Sequence, residues 1–95
     1  MEDMSGDAIL KTPLVQRKEL FWDISPERVE TVLRENDDWA IVRIFEYGKI
    51  ADIFDAIEFY GPQKTARVLS REKLRPTARV MAYLFLNVDP EHRYL

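Results

Sequence analysis

The stretch DDWAIVRIFEYGKIADIFDAIEFYG, residues 37–61, holds two helical patterns back to back. Trp39, Ile41, Val42, Ile44 and Phe45 give the first a broad apolar face, and Asp37 or Asp38 is placed to cap its start. Gly48 sits where a left-handed residue commonly ends a helix. Ile50, Ile53, Phe54, Ile57 and Tyr60 then recur at helical spacing, with Asp52, Asp55 and Glu58 on the wet face. Gly61 closes this second helix, and Pro62 suits the first position of a third. Ala40 to Ile44 is the one segment a strand would suit, and it lies inside the stronger helical pattern.

Upstream, Ser25-Pro26-Glu27 is a helix-start signal: a capping serine, a proline at the first turn and an acid near the positive helix end. Val29, Val32 and Leu33 form a narrow inward stripe, and this helix ends by Asn36. Leu20-Phe21-Trp22 reads first as an anchor that pins the chain onto the core, and second as an aromatic patch for a partner. Downstream, Pro62 to Leu69 forms a short helix with Ala66 and Leu69 inward, and Ser70 to Arg75 is a polar connection. Pro76-Thr77 opens a last helix running to about Asn87, before Val88-Asp89-Pro90 ends it. Val80 to Leu86 is apolar nearly all round, which marks either the central helix of the domain or one that also faces a second subunit, as in a homodimer. The expectation is an all-α, compact bundle of about five short helices with a helix-turn-helix-like C-terminal half. It spans residues 16–90 as a single domain, between a flexible tail at 1–15 and a short tail at 91–95.

Composition narrows the class of protein. Ninety-five residues, 46% hydrophobic and 33% charged, suit one modest core with a wet surface. There is no apolar run long enough to span a bilayer, and Met1-Glu2-Asp3-Met4 is acidic where a signal peptide is basic. The expected compartment is therefore the cytoplasm. Cysteine is absent, which excludes a disulfide framework, a thiolate zinc site and a cysteine nucleophile. His92, the only histidine, stands in the charged tail without ligand partners. Ser5, Ser25 and Ser70 have no triad around them, and no glycine-rich loop is present to cradle a phosphate. Glu35, Asp37 and Asp38 form an acidic cluster whose simplest role is helix capping and solvation. No cofactor and no enzyme are expected.

Charge is unevenly spread. Residues 21–60 carry 4 basic and 10 acidic side chains, whereas residues 61–95 carry 7 basic and 3 acidic. Between Pro62 and Arg79 lie Lys64, Arg67, Arg71, Lys73, Arg75 and Arg79, against the single acid Glu72. Helix, short turn and helix with cations near the turn suit DNA phosphates and base edges. The same side chains also suit an acidic protein, an RNA, or a plain solvated face. The net charge of −3 speaks against non-specific coating of nucleic acid. A recognition helix also needs a polar exposed face, which this one lacks beyond Arg79.

Leu20-Phe21-Trp22-Asp23-Ile24, Glu46-Tyr47-Gly48, Tyr60-Gly61, Val68-Leu69-Ser70-Arg71 and Leu74-Arg75-Pro76-Thr77-Ala78 follow one another in this order. The series resembles a family of small bacterial all-helical domains of unknown function, with a Leu-Phe-Trp-Asp opening and two Tyr-Gly helix ends. The resemblance spans roughly residues 18–87 and departs from the family pattern between Ile24 and Trp39. Such proteins are often encoded beside nucleotidyltransferase-like toxins of the abortive-infection type. The resemblance thus implies an antitoxin-like or regulatory partner, and it carries over no catalytic residue.

Two functions follow as expectations. The first is a non-catalytic interaction module bound to a nucleotidyltransferase-type protein, with the acidic middle of the chain, Glu35 to Asp38 with Asp52, Asp55 and Glu58, facing a basic nucleotide-binding cleft. The alternative is a helix-turn-helix transcriptional regulator acting through residues 62–79.

Overall fold

The computed structural model describes residues 12–89. A 3-10 turn, Pro13–Gln16, precedes five helices: α1 Pro26–Glu35, α2 Asp37–Tyr47, α3 Ile50–Tyr60, α4 Pro62–Arg71 and α5 Pro76–Leu86. The fold is an all-α bundle, and the described residues contain no strand. None of their helices is long and apolar enough to cross a membrane.

Prolines open three of the helices. Pro26, Pro62 and Pro76 each occupy the first turn, where a missing N–H leaves no bond unmade. Ser25 holds the N-cap position of α1 with extended backbone, yet its hydroxyl makes no capping bond. Neither aspartate caps α2. Asn36 holds that position, and Asp37 and Asp38 lie in the first turn, where the positive helix end favours them.

The central helix is α2. It packs against each of the other four, and Ala40, Ile41, Ile44 and Phe45 are fully buried. The last helix is not the centre, despite its near-continuous apolar run. It buries only Ala78 and Ala82, spaced i, i+4, and leaves Val80 and Leu84 in solvent. Two alanines on one row let the α5 backbone lie close to its neighbours, so the large side chains are displaced to the flanks and the outer face.

The inner face of α3 also differs from the expected stripe. Asp52, Ile53 and Ala56 are buried, whereas Ile50 and Phe54 are exposed. The cause is a cation from outside the helix. Arg17, just after the 3-10 turn, pairs with both Asp52 and Asp55. Asp52 Oδ2 also accepts from the Lys49 backbone N–H at 2.7 Å. A carboxylate with a guanidinium and an N–H for partners is buried at far lower cost than a bare one, so the helix can turn this edge inward.

The packed body reaches further toward the N-terminus than the apolar pattern suggests. Thr12 Oγ1 accepts from Leu14 N–H at 3.3 Å, and Leu14 is fully buried in the core with Leu20 and Phe21. Residues 1–11 and 90–95, including His92, lie outside the described residues.

Gly48 is extended, with φ −80° and ψ 164°, and is not left-handed. The left-handed terminator is Asn87 at the end of α5, with φ 56°. Gly48 is needed for space. A Cβ there would lie 2.5 Å from the Ile44 carbonyl oxygen and 3.0 Å from Asp52 Cβ, where the chain passes from α2 to α3. Gly61 has the opposite constraint: φ is +89° and nothing lies within 4 Å of a Cβ. Gly48→Ala should therefore cost about 1–3 kcal/mol through forced repacking of the α2–α3 joint. Gly61→Ala should cost about 1–3 kcal/mol through backbone strain alone. Urea unfolding of the two variants measures both. A Gly48→Ala midpoint equal to wild type would show that the close approach is not real.

Candidate functional site

The structure disperses the six basic residues of the 62–79 segment. Lys64, on α4, pairs with Asp37. Arg71, in the last turn of α4, reaches Asp38 at 3.3 Å. Arg75, the N-cap residue of α5, lies 3.9 Å from Glu46 and has its guanidinium 5.5 Å from the Tyr47 ring centre. Arg79 donates to the Leu74 carbonyl at 3.0 Å. Arg67 and Lys73 are exposed. Three of the six cations thus face acids of α2. The acidic middle and the basic end of the chain meet along a seam where they offset each other.

The same seam occupies the acidic cluster. Asp37 and Asp38 are held by α4, and Asp52 and Asp55 by Arg17, so four of the acids assigned to a partner's cleft have internal cations. Among the described residues no group of three His, Cys, Asp or Glu side chains is placed to hold a metal ion. The helix–connection–helix unit is present as α4, Glu72–Arg75 and α5. Its second helix turns Thr77, Val80 and Leu84 outward, a face poor in the donors and acceptors that read base edges.

A hollow of about 200 Å³ beside this seam is lined by Leu33, Arg34, Asp37, Phe59, Tyr60 and Lys64. Its Asp37, Tyr60 and Lys64 have fixed partners. The Tyr60 hydroxyl donates to the Leu33 carbonyl at 2.6 Å, and burial raises its pKa. Asp37 is held below the ordinary carboxylate range first by the hydrogen bond from Lys64.

The most distinctive surface was only half visible in the sequence. Leu20 and Phe21 are core residues, as an anchor requires, but Trp22 is 77% exposed. Beside it, Arg43 of α2 donates to both Asp23 carboxylate oxygens at 3.0 and 2.9 Å and to the Leu20 carbonyl at 3.0 Å. Its guanidinium lies 4.5 Å from the Trp39 ring centre, 5.7 Å from Tyr47 and 5.9 Å from Trp22. The Arg75 guanidinium also lies near the ring of Tyr47, which is 55% exposed. A groove of about 310 Å³ runs next to Trp22, walled by Val15, Phe21, Ile24, Pro26 and Val29. Trp39, Arg43 and Tyr47 are spaced i, i+4, i+8, so they form one row on α2. That spacing is the signal that would have found them.

A planar cation bound at three points is held in one place, where it favours the ring beside it. The result is an aromatic face gathered around Arg43. The bond from Arg43 also holds Asp23 below the ordinary carboxylate range.

Asp23 and Asp37 both have lowered pKa values, so their pairs stabilise the fold above the ordinary carboxylate value of 3.8 and lose that contribution as pH falls through the folded values. Asp37→Asn should lower stability at neutral pH by less than about 1 kcal/mol, since the pair is partly solvated. It should change stability far less at an acid pH below the folded value, where the carboxyl is protonated in both states. Urea titrations at the two pH values check this. An equal loss at both would show that the pair contributes nothing through charge.

The model of a protein family described as a family of unknown function (DUF6922) matches residues 16–69, more than half of the chain. The matched region runs from Gln16, the last residue of the 3-10 turn, through Leu69 and includes Trp22, Asp23, Trp39, Arg43 and Tyr47. No curated protein and no solved structure matches the chain. The chain belongs to the DUF6922 family of unknown function.

Proposed function

We propose that the domain is a non-catalytic protein-interaction module that docks through the aromatic face around Trp22. Its partner is a nucleotidyltransferase-type protein, toward which it acts as an antitoxin-like or regulatory subunit. The observation that carries the docking surface is Trp22, 77% exposed beside an apolar groove and flanked by a fixed arginine. Tryptophan, tyrosine and arginine are the residues most enriched at the energetic centres of protein interfaces. The partner class rests on the ordered motifs from Leu20 to Ala78 and their resemblance to proteins encoded beside such toxins.

A second reading, DNA binding through residues 62–79, keeps support from the helix–connection–helix unit and from the exposed Arg67 and Lys73. The acids opposite Lys64, Arg71 and Arg75 weaken it, because a phosphate has to compete with a carboxylate at each.

Titration of the domain into the nucleotidyltransferase-type protein encoded beside it tests the first reading. Wild type should bind at micromolar concentration or tighter. Trp22→Ala should weaken the complex at least about thirtyfold, a loss of roughly 2 kcal/mol, with its melting temperature close to wild type. No complex, or an unaffected Trp22→Ala, sinks the reading. A salt-sensitive shift of the domain's own promoter fragment, abolished by charge reversal at Arg67 and Arg71, would favour the second.

A further inference from the structure

We infer that the groove beside Trp22 takes a partner segment that sets a carboxylate close to a large apolar side chain, and that this carboxylate pairs with Lys18. The inference rests on the reading of the Trp22 face as a docking surface, and it adds the chemistry of what docks there.

The floor of the groove is the core itself. Phe21 and Val29 line it and are buried, Val15 and Ile24 are half-buried beside them, and Trp22 stands exposed at the edge. Such a lining takes apolar side chains. Its volume of about 310 Å³ lies at the lower end of the range for ligand pockets, ~300–1,000 Å³, so it suits a few side chains of one segment.

The charges of the lining select the segment. Among the described residues the lining holds two cations, Arg17 and Lys18, and no acid. The two cations differ. Arg17 is held by Asp52 and Asp55. Lys18 is exposed and has no ion pair among the described residues. Glu19 follows it in the chain but stands outside the lining. A lysine beside an apolar groove lays its aliphatic stem along the wall and keeps its ammonium at the rim. An occupant that covers the stem therefore brings its own flanking residue next to an uncompensated positive charge. A basic residue there is repelled, and a neutral one leaves the ammonium partly desolvated and unpaired. A carboxylate pairs with it and accepts a charge-assisted hydrogen bond. The carboxylate belongs within about four residues of the apolar side chain, because four extended residues already span about 13 Å.

Panning the full chain against random peptides displayed on phage tests the inference without the partner. Enriched peptides should carry Leu, Ile, Met, Phe or Trp with Asp or Glu inside that spacing. Titrated as synthetic peptides, they should lose at least about tenfold in affinity on Trp22→Ala and about tenfold on Lys18→Glu. Changing the peptide's acid to lysine should restore most of the affinity for the Lys18→Glu variant. Both substituted side chains are exposed, and circular dichroism checks that each variant folds. Enriched peptides without an acid, a Lys18→Glu variant that binds as wild type does, or a charge swap without rescue would each overturn the inference and leave the Trp22 docking surface standing. Peptides indifferent to Trp22→Ala, or no enrichment at all, would also overturn it, and the docking surface itself is then decided by titration of the partner protein.

Discussion

Every other helix of this small domain leans on α2. Ala40, Ile41, Ile44 and Phe45 are fully buried because α1, α3, α4 and α5 close around them. A chain of this length has little core to spare, so one helix with four neighbours is an economical way to exclude water. The arrangement also decides where a functional surface can lie. A helix surrounded on most sides has one row left over, and here that row is Trp39, Arg43 and Tyr47. The element that organises the core is therefore the one that orders the aromatic face, and the two cannot be altered independently.

What was legible in the sequence was local. Proline at the first turn and the spacing of Val29, Val32 and Leu33 depend on neighbours within a turn or two, and both appear as read, while α4 runs two residues past its expected end, to Arg71. What was not legible depended on contacts between distant residues. The wet face assigned to Asp52 failed because Arg17, outside the helix, turns that edge inward. Of the two places open to the last helix, the central one failed because apolar character does not say which side is small. Ala78 and Ala82 chose the side, and a hydrophobic count ignores them. Gly48 illustrates the same limit. A glycine at a helix end suggests a left-handed residue, but its real constraint is the nearness of Ile44 and Asp52, which only the folded joint creates.

The candidate site divides in the same way. A cluster of cations along the chain looked like a surface for an anion, yet sequence distance is a poor guide to electrostatic isolation. Asp37, Asp38 and Glu46 are far from Lys64, Arg71 and Arg75 in the chain and opposite them in space. The uneven charge of the two halves is thus in part a folding device, joining α2 to α4 and α5 through three ion pairs. Surface pairs of this kind add little stability each, but they disfavour registers that would place like charges together. Arg67 and Lys73 stand apart from this seam, as exposed residues outside its three ion pairs.

The segment Leu20 to Asp23 shows how function can share a motif with folding. Successive turns, Leu20 N–H to the Arg17 carbonyl at 3.0 Å and Phe21 N–H to the Lys18 carbonyl at 3.2 Å, wind the chain so that consecutive side chains point in different directions. Leu20 and Phe21 take the core, and Asp23 takes the Arg43 guanidinium. Trp22 lies between them and is left facing water. The core is closed without it, and Arg43 keeps three bonds and the Trp39 ring if it is removed. Folding alone asks nothing of position 22 that a small polar residue would not supply. The reading of this domain as an interaction module therefore rests on that indole, whose cost in exposed apolar surface is offset only when something covers it.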